Sequence, residues 1–145
     1  MWNETETKLR SSDIGLPSFF KLWTDLATQK EIGEKAEQLA QAHLLTLGYK
    51  ILDTNYQYGH LELDIVAKEG EELVIVEVKA RSGLRFEHPS EAVTNAKIKR
   101  IVEAADGYIQ EKEWKGETRF DVITVIFFGE NFELEHFKEA FYPML

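Results

Sequence analysis

An α/β fold, with a mixed sheet flanked by helices, is predicted by three features of the sequence. A helical apolar stripe lies near residues 31–47, three strand-like runs follow it, and a second helical segment leads into one more strongly apolar strand. The centre of the pattern is LELDIVAKEGEELVIVEVK, residues 61–79, where charged groups stand inside what otherwise reads as buried sheet.

Residues 1 to about 30 carry four acids and four bases, with a break at Pro17. They read as a partly ordered extension packing on the domain or on a second subunit, with a short amphipathic helix around Ser18 to Trp23. The domain itself is assigned to residues 31–145. From Glu31 to Leu47 the side chains of Ile32, Ala36, Leu39, Ala40, His43 and Leu47 share one face, and Gly48 suits the C-cap. Glu37 flanks that face beside Gly33 and Ala40. It is either a solvated helix charge or a carboxylate leaning over the sheet edge, whereas Glu34 points to solvent. His43 reads as a buried histidine with a backbone partner, because no second His or acid lies one turn away on the stripe.

Tyr49 to Asn55, Leu61 to Ala67 and Leu73 to Lys79 form an antiparallel meander, the first two joined by a linker at 56–60. Within the third run, Leu73, Ile75, Glu77 and Lys79 share one face, and Val74, Val76 and Val78 the other. A two-residue turn at Gly70-Glu71 places Asp64 opposite Glu77 and Glu62 opposite Lys79. A turn slipped to Glu69-Gly70 would put Asp64 opposite Ile75 instead; the first register is adopted. Facing carboxylates with Cβ atoms roughly 5 Å apart repel unless a proton or cation lies between them. The sheet therefore looks built to hold something positive.

After Lys79 a polar loop, Ala80 to Pro89, carries Arg81, Arg85 and His88; His88 and the earlier His60 read as plain loop residues. Ser90 is expected to cap a second helix running to about Gln110, with Val93, Ile101, Ala104 and Tyr108 on its buried face. Lys97 falls inside that stripe, either snorkelling or aimed at a phosphate or the acidic cluster. Arg119 to Phe128 is a strand, and Phe132 to Phe137 a last edge strand.

The chain has no cysteine, which excludes disulfides and thiolate metal sites. It shows no apolar run of membrane-spanning length and no secretory signal pattern, so the cytoplasm is the expected compartment and no membrane partner is expected. A net charge of −9 argues against a strong nonspecific nucleic-acid binder. Yet between Lys79 and Arg100 six cations (Lys79, Arg81, Arg85, Lys97, Lys99, Arg100) outnumber two acids, so this segment is locally +4 and the remainder −13. A basic face on an acidic protein results.

Asp64, twelve spacer residues, then Glu77-Val78-Lys79 spell D-x12-E-x-K. Two hard carboxylates on neighbouring strands suit Mg²⁺ or Mn²⁺, and Lys79 on the face of Glu77 can orient a water or stabilise charge on a phosphate. With Gly33, Glu37-x-Leu39-Ala40, Gly48-Tyr49, Asn55, Val76 to Arg81, Glu91-Ala92-Val93 with Lys97, Arg119-Phe120-Asp121-Val122 and Ala140-Phe141, the chain resembles the PD-(D/E)XK nuclease superfamily. Within it, the YraN-like family of uncharacterised bacterial proteins, which are similar to archaeal Holliday-junction resolvases, is the closer match. The resemblance covers roughly residues 31–143, nearly the whole domain.

That resemblance implies a restriction-endonuclease-like αβββαβ core. It implies metal ligation by Glu37, Asp64, Glu77 and the Val78 carbonyl, with Lys79 as the catalytic lysine. Arg81, Arg85, Lys97, Lys99 and Arg100 would meet nucleic acid. The implied activity is Mg²⁺- or Mn²⁺-dependent endonucleolytic hydrolysis of DNA, branched DNA included, by a homodimer. The other reading is a nuclease-fold protein that binds nucleic acid or a protein partner without cutting. The sequence departs from the family's usual pattern in carrying Ala36 where Gly is usual, Gln57 where Arg is usual, and His43 at a normally aromatic position.

Overall fold

A computed structural model describes residues 6–10, 26–82, 93–129 and 131–143. One six-stranded mixed sheet carries a helix on each face. In chain order the elements are β1 (Glu6–Arg10), α1 (Gln29–Thr46), β2 (Lys50–Tyr58), β3 (Leu61–Glu69), β4 (Glu72–Ser82), α2 (Asn95–Lys112), β5 (Thr118–Phe128) and β6 (Asn131–Phe141). The strand order is β1-β6-β5-β4-β3-β2, with only β4 and β5 parallel. From α1 to β5 this is the αβββαβ succession of a restriction-endonuclease-like core.

α1 starts where Thr28 accepts the Glu31 N–H (3.2 Å) and stops at Gly48, whose φ of +88° only glycine takes freely. The Gly48 and Tyr49 N–H groups then return to the carbonyls of Leu45 and Leu44, closing the helix end. Ile32, Ala36, Ala40 and Leu44 pack on Ile65, Ala67, Val74, Val76, Ile123 and Val125. On the other face, Ile101, Ala104, Ala105 and Tyr108 of α2 pack on Leu61, Leu63, Val66, Leu73, Ile75 and Val122. Strand β4 supplies both clusters, which is why Leu73 to Val76 form an unbroken apolar run.

The hairpin register is the one the turn chemistry selects. Ile65 pairs with Val76 and Glu69 with Glu72 across Gly70-Glu71, with Gly70 at φ +59° and Glu71 outside that region, as a type II′ turn requires. Several expectations are corrected. The linker between the first two strands is only the Gly59-His60 turn, because Gly59 at φ +61° reverses the chain by itself and β2 runs on through Tyr58. β4 continues to Ser82, paired with β5, so Ala80 to Ser82 belong to the sheet rather than a loop. α2 begins later than expected: Thr94, not Ser90, caps it by accepting the Lys97 N–H at 3.2 Å. β6 is an eleven-residue strand inside the sheet, since β1 covers its outer side. The expected short helix at 18–23, Arg85, His88 and Ser90 lie outside the described residues.

Behind the sheet centre runs a chain of buried polar groups. His43 is buried as expected, but its partner is a side chain, His136, with Nε2 and Nδ1 3.3 Å apart. His136 Nε2 lies 2.8 Å from Asp121, and Arg119 grips the same carboxylate with two bonds of 2.8 and 2.9 Å. Arg119 also donates to Tyr49, Glu69 and Glu72. This order sets the tautomers: His136 Nε2–H donates to Asp121, leaving Nδ1 to accept from His43. Asp121 further accepts the Glu139 N–H (3.1 Å), bridging the register shift between β5 and β6.

Burial first, and then the neighbouring His136, lower the pKa of His43 to about 4. In the unfolded chain an imidazole titrates near 6.5. Between these values the unfolded state holds a proton that the native state refuses, so stability rises with pH and is complete above about 6.5. By pH 5 the loss amounts to roughly 2 kcal/mol. The melting temperature should therefore fall less from pH 7 to pH 5 in His43→Gln, which keeps a donor to His136, than in the parent protein. Equal falls would contradict the assignment.

Candidate metal centre

Strand β3 changes faces at Asp64. Leu61 and Leu63 face α2, whereas Ile65 and Ala67 face α1, so strict alternation breaks between them. Across the edge, Thr54 pairs with Ile65 and Tyr56 with Leu63, and the ladder skips the position between. Asn55 stands there with φ +51°, a left-handed conformation that asparagine tolerates better than most residues.

The β3–β4 ladder ends at the same level. Ile65↔Val76 is its last pair, so Asp64 and Glu77 come next in register but outside the main-chain ladder. Instead, the Asp64 carboxylate accepts the Val78 N–H at 2.9 Å. The two strands part and open a notch of about 330 Å³. Gly33 and Glu37 of α1 line one wall. Asp64 and residues Glu77 to Ala80 form the floor, and Thr94, Lys97 and Arg100 at the start of α2 form the opposite wall.

Glu77 is buried, and its carboxylate lies 3.4 Å from the Lys97 ammonium. Burial, followed by the charge of Asp64, pushes its pKa up to about 8 against the pull of Lys97. Asp64 is raised as well, chiefly by burial, while the Val78 N–H, the hydrogen bond with Glu77 and Lys97 oppose the rise. Both carboxyls therefore hold a proton more tightly than free acids do. Glu37 is pushed to about 7 by burial and then by the charges of Asp64, Glu62 and Glu34. With its amide nitrogen turned to the acids, Asn55 donates to Glu37 (3.3 Å) and Glu62 (3.0 Å).

Of the residues singled out from the sequence, the structure places Glu37, Asp64, Glu77, Val78, Lys79, Lys97 and Arg100 around one notch. Lys99 is exposed on α2 away from the notch, and Arg81 sits further along β4 with its guanidinium on the Ala80 carbonyl. Arg85 lies outside the described residues. The expected Glu62–Lys79 pairing does not form: Glu62 bonds Gln57 and Asn55, because the ladder that would have aligned it ends at Ile65. Asn55 and Thr94 escaped notice as site residues. An Asn inside a strand pattern was the available signal for the first.

Among the described residues the donor set suits a hard divalent cation: carboxylate oxygens and main-chain carbonyls, with neither sulfur nor imidazole lining the notch. Among the described residues no three Asp, Glu, His or Cys side chains converge tightly enough to cage a metal by themselves. Two carboxylates, with waters completing the shell, match the habit of Mg²⁺.

For an acid whose folded pKa is raised, the native state binds the proton more tightly than the unfolded chain. Stability is then lost as pH climbs from about 4.5 towards the folded value. In chelator, Glu77→Gln should therefore melt higher than the parent protein at pH 8, by roughly 4 °C for each kcal/mol relieved, and equally at pH 4. A lower melting temperature at pH 8 would show that the ionised Glu77 stabilises the fold.

Comparison with known proteins places the chain in a family. The family described as Uncharacterised protein family UPF0102 matches residues 36–125, a span that includes Glu37, Asp64, Glu77, Lys79, Lys97 and Arg100. A UPF0102 protein of Bacteroides thetaiotaomicron is 50% identical over 120 residues, covering 83% of this chain and 99% of the relative. Its counterpart in Phocaeicola vulgatus is 42% identical over 118 residues, covering 81% and 98%. One from Christiangramia forsetii is 38% identical over 117 residues, again covering 81% and 98%. This chain therefore belongs to the UPF0102, or YraN-like, family.

Proposed function

We propose that the protein is a divalent-metal-dependent endonuclease that hydrolyses phosphodiester bonds of DNA, branched DNA included, in the cytoplasm. The observation that carries this reading is the parting of β3 from β4 at two mutually facing carboxylates, Glu77 buried and Asp64 half-buried, with lysines on either side. Asp64 and Glu77 would hold Mg²⁺ or Mn²⁺, assisted by the Val78 carbonyl and, from across the notch, by Glu37. When bound, such a cation acidifies water and offsets the charge that develops on the phosphorane.

The chain's own groups supply the rest. Lys79 lies two residues beyond Glu77 on the same strand face and lines the notch, where it can orient the attacking water or meet a phosphate oxygen. Arg100 and Lys97 flank the mouth, and Lys99, Arg81 and Arg85 extend the positive segment along which a phosphate backbone could lie. Gln57, standing where the family usually carries Arg, is engaged with Glu62 and adds no charge. A homodimer would present two such notches, as paired cuts in a branched substrate demand.

A second reading, binding without cleavage, is favoured by one observation: Lys97 already neutralises Glu77. Calorimetric titration with Mn²⁺ and cleavage assays on branched, single-stranded and linear DNA separate the two. The parent protein should bind Mn²⁺ and nick DNA, whereas Asp64→Ala and Glu77→Ala should stay folded, lose binding, and cut roughly 100-fold more slowly or not at all. Binding without cleavage of any of the three DNAs would favour the second reading. Loss of folding in both variants would make the carboxylates structural.

A further inference from the structure

Lys97 is an unusual residue for its place in the fold. It stands in the first turn of α2, three residues after the Thr94 cap, where the helix dipole is positive and acids are favoured. The equivalent turn of α1 follows that rule with Glu31, but the first turn of α2 holds no acid, and Lys99 and Arg100 follow Lys97 in the next turn. Cations at a helix N-terminus repel the dipole and one another, so an anion must sit opposite. Among the described residues that anion is Glu77, 3.4 Å from the ammonium and almost wholly buried, while Lys97 remains half-exposed.

The charges of the notch make the same point. Among the described residues, Glu37, Asp64 and Glu77 face Lys79, Lys97 and Arg100. Fully ionised, the six groups cancel. A divalent cation between the carboxylates would leave the notch at +2 and Glu77 no longer in need of a lysine.

We propose that Lys97 is the resident counter-ion of Glu77: it competes with the divalent cation for that carboxylate and, once displaced, turns with Arg100 to a phosphate of the nucleic acid. Metal loading thereby switches on nucleic-acid affinity in a protein whose net charge of −9 otherwise opposes it. Lys97 acts as a positioning residue before metal arrives and as a phosphate contact afterwards. The inference rests on the metal-dependent reading of the same notch and adds an order of events to it.

The test uses the full chain and two variants, Lys97→Met, which keeps the aliphatic stem, and Lys97→Arg, which keeps the charge. Mn²⁺ affinity is read by calorimetry, and binding of a fluorescent branched DNA by anisotropy in chelator and in Ca²⁺. Lys97→Met should bind Mn²⁺ roughly threefold or more tighter than the parent, because a competitor is gone. Its DNA affinity in Ca²⁺ should nevertheless fall, with a shallower salt dependence. Lys97→Arg should restore both values towards the parent. Parent and variant that both bind Mn²⁺, with Lys97→Met binding equally or more weakly, would overturn this proposal alone. Failure of all three proteins to bind Mn²⁺ would overturn the metal reading and this one with it. DNA affinity of the parent that is the same in chelator and in Ca²⁺ would overturn the switch.

Discussion

Two carboxylates that want the same place in a sheet are the constraint on which the rest depends. Set opposite each other about 5 Å apart, ionised Asp64 and Glu77 would repel by roughly 3 kcal/mol at an effective dielectric of 20. A main-chain ladder bond returns only about 1 kcal/mol net. The ladder yields: it ends at Ile65–Val76, and the Asp64 carboxylate takes the Val78 N–H that a strand partner would otherwise satisfy. A hydrogen bond to a charged acceptor is worth about 1.5–3 kcal/mol, so the exchange is not a net loss. What remains is a notch whose acids are held together by a proton, a lysine or a metal.

The surroundings keep that notch open and its parts in place. Helix α1 covers β4 from one side and α2 covers β3 from the other, so Glu37 and Lys97 reach the same opening from opposite faces of the sheet. Asn55, in its left-handed conformation, lets β2 follow the change of faces in β3 while tying Glu37 to Glu62. At the far end of β3 and β4, Arg119 binds Glu69 and Glu72 on either side of the hairpin turn, and through Asp121 and His136 connects them to α1. Strands closed at one end by a satisfied buried network can part at the other without the sheet losing its register.

Much of this was legible in the sequence, for identifiable reasons. Gly70 and Glu71 fix the hairpin register, because only a glycine takes the first position of that turn freely, and the apolar run of β4 announces a strand buried on both faces. Gly48 marks the end of α1. What was not legible depended on contacts distant in sequence or on single dihedrals. The face change in β3 needs Asn55 in an unusual conformation, and alternation alone cannot reveal it. The partner of His43 lies 93 residues away on β6. Ser90, just after Pro89, looked like the cap of α2, whereas Thr94, four residues on, takes that place. β1 is a short, mostly polar strand whose sequence carries no apolar alternation to betray it. The residues around the candidate centre were found because they are charged where a strand should not be; Thr94 and Asn55, being neutral, gave no such signal.

The most direct measurement is anomalous diffraction from crystals grown with Mn²⁺. A single strong peak should lie in the notch, bound by oxygens of both Asp64 and Glu77 at about 2.1–2.2 Å, with Lys97 drawn away from Glu77. A notch without a peak at saturating Mn²⁺, with Lys97 still seated on Glu77, would contradict a metal centre and leave the parted strands as a structural ion-pair site.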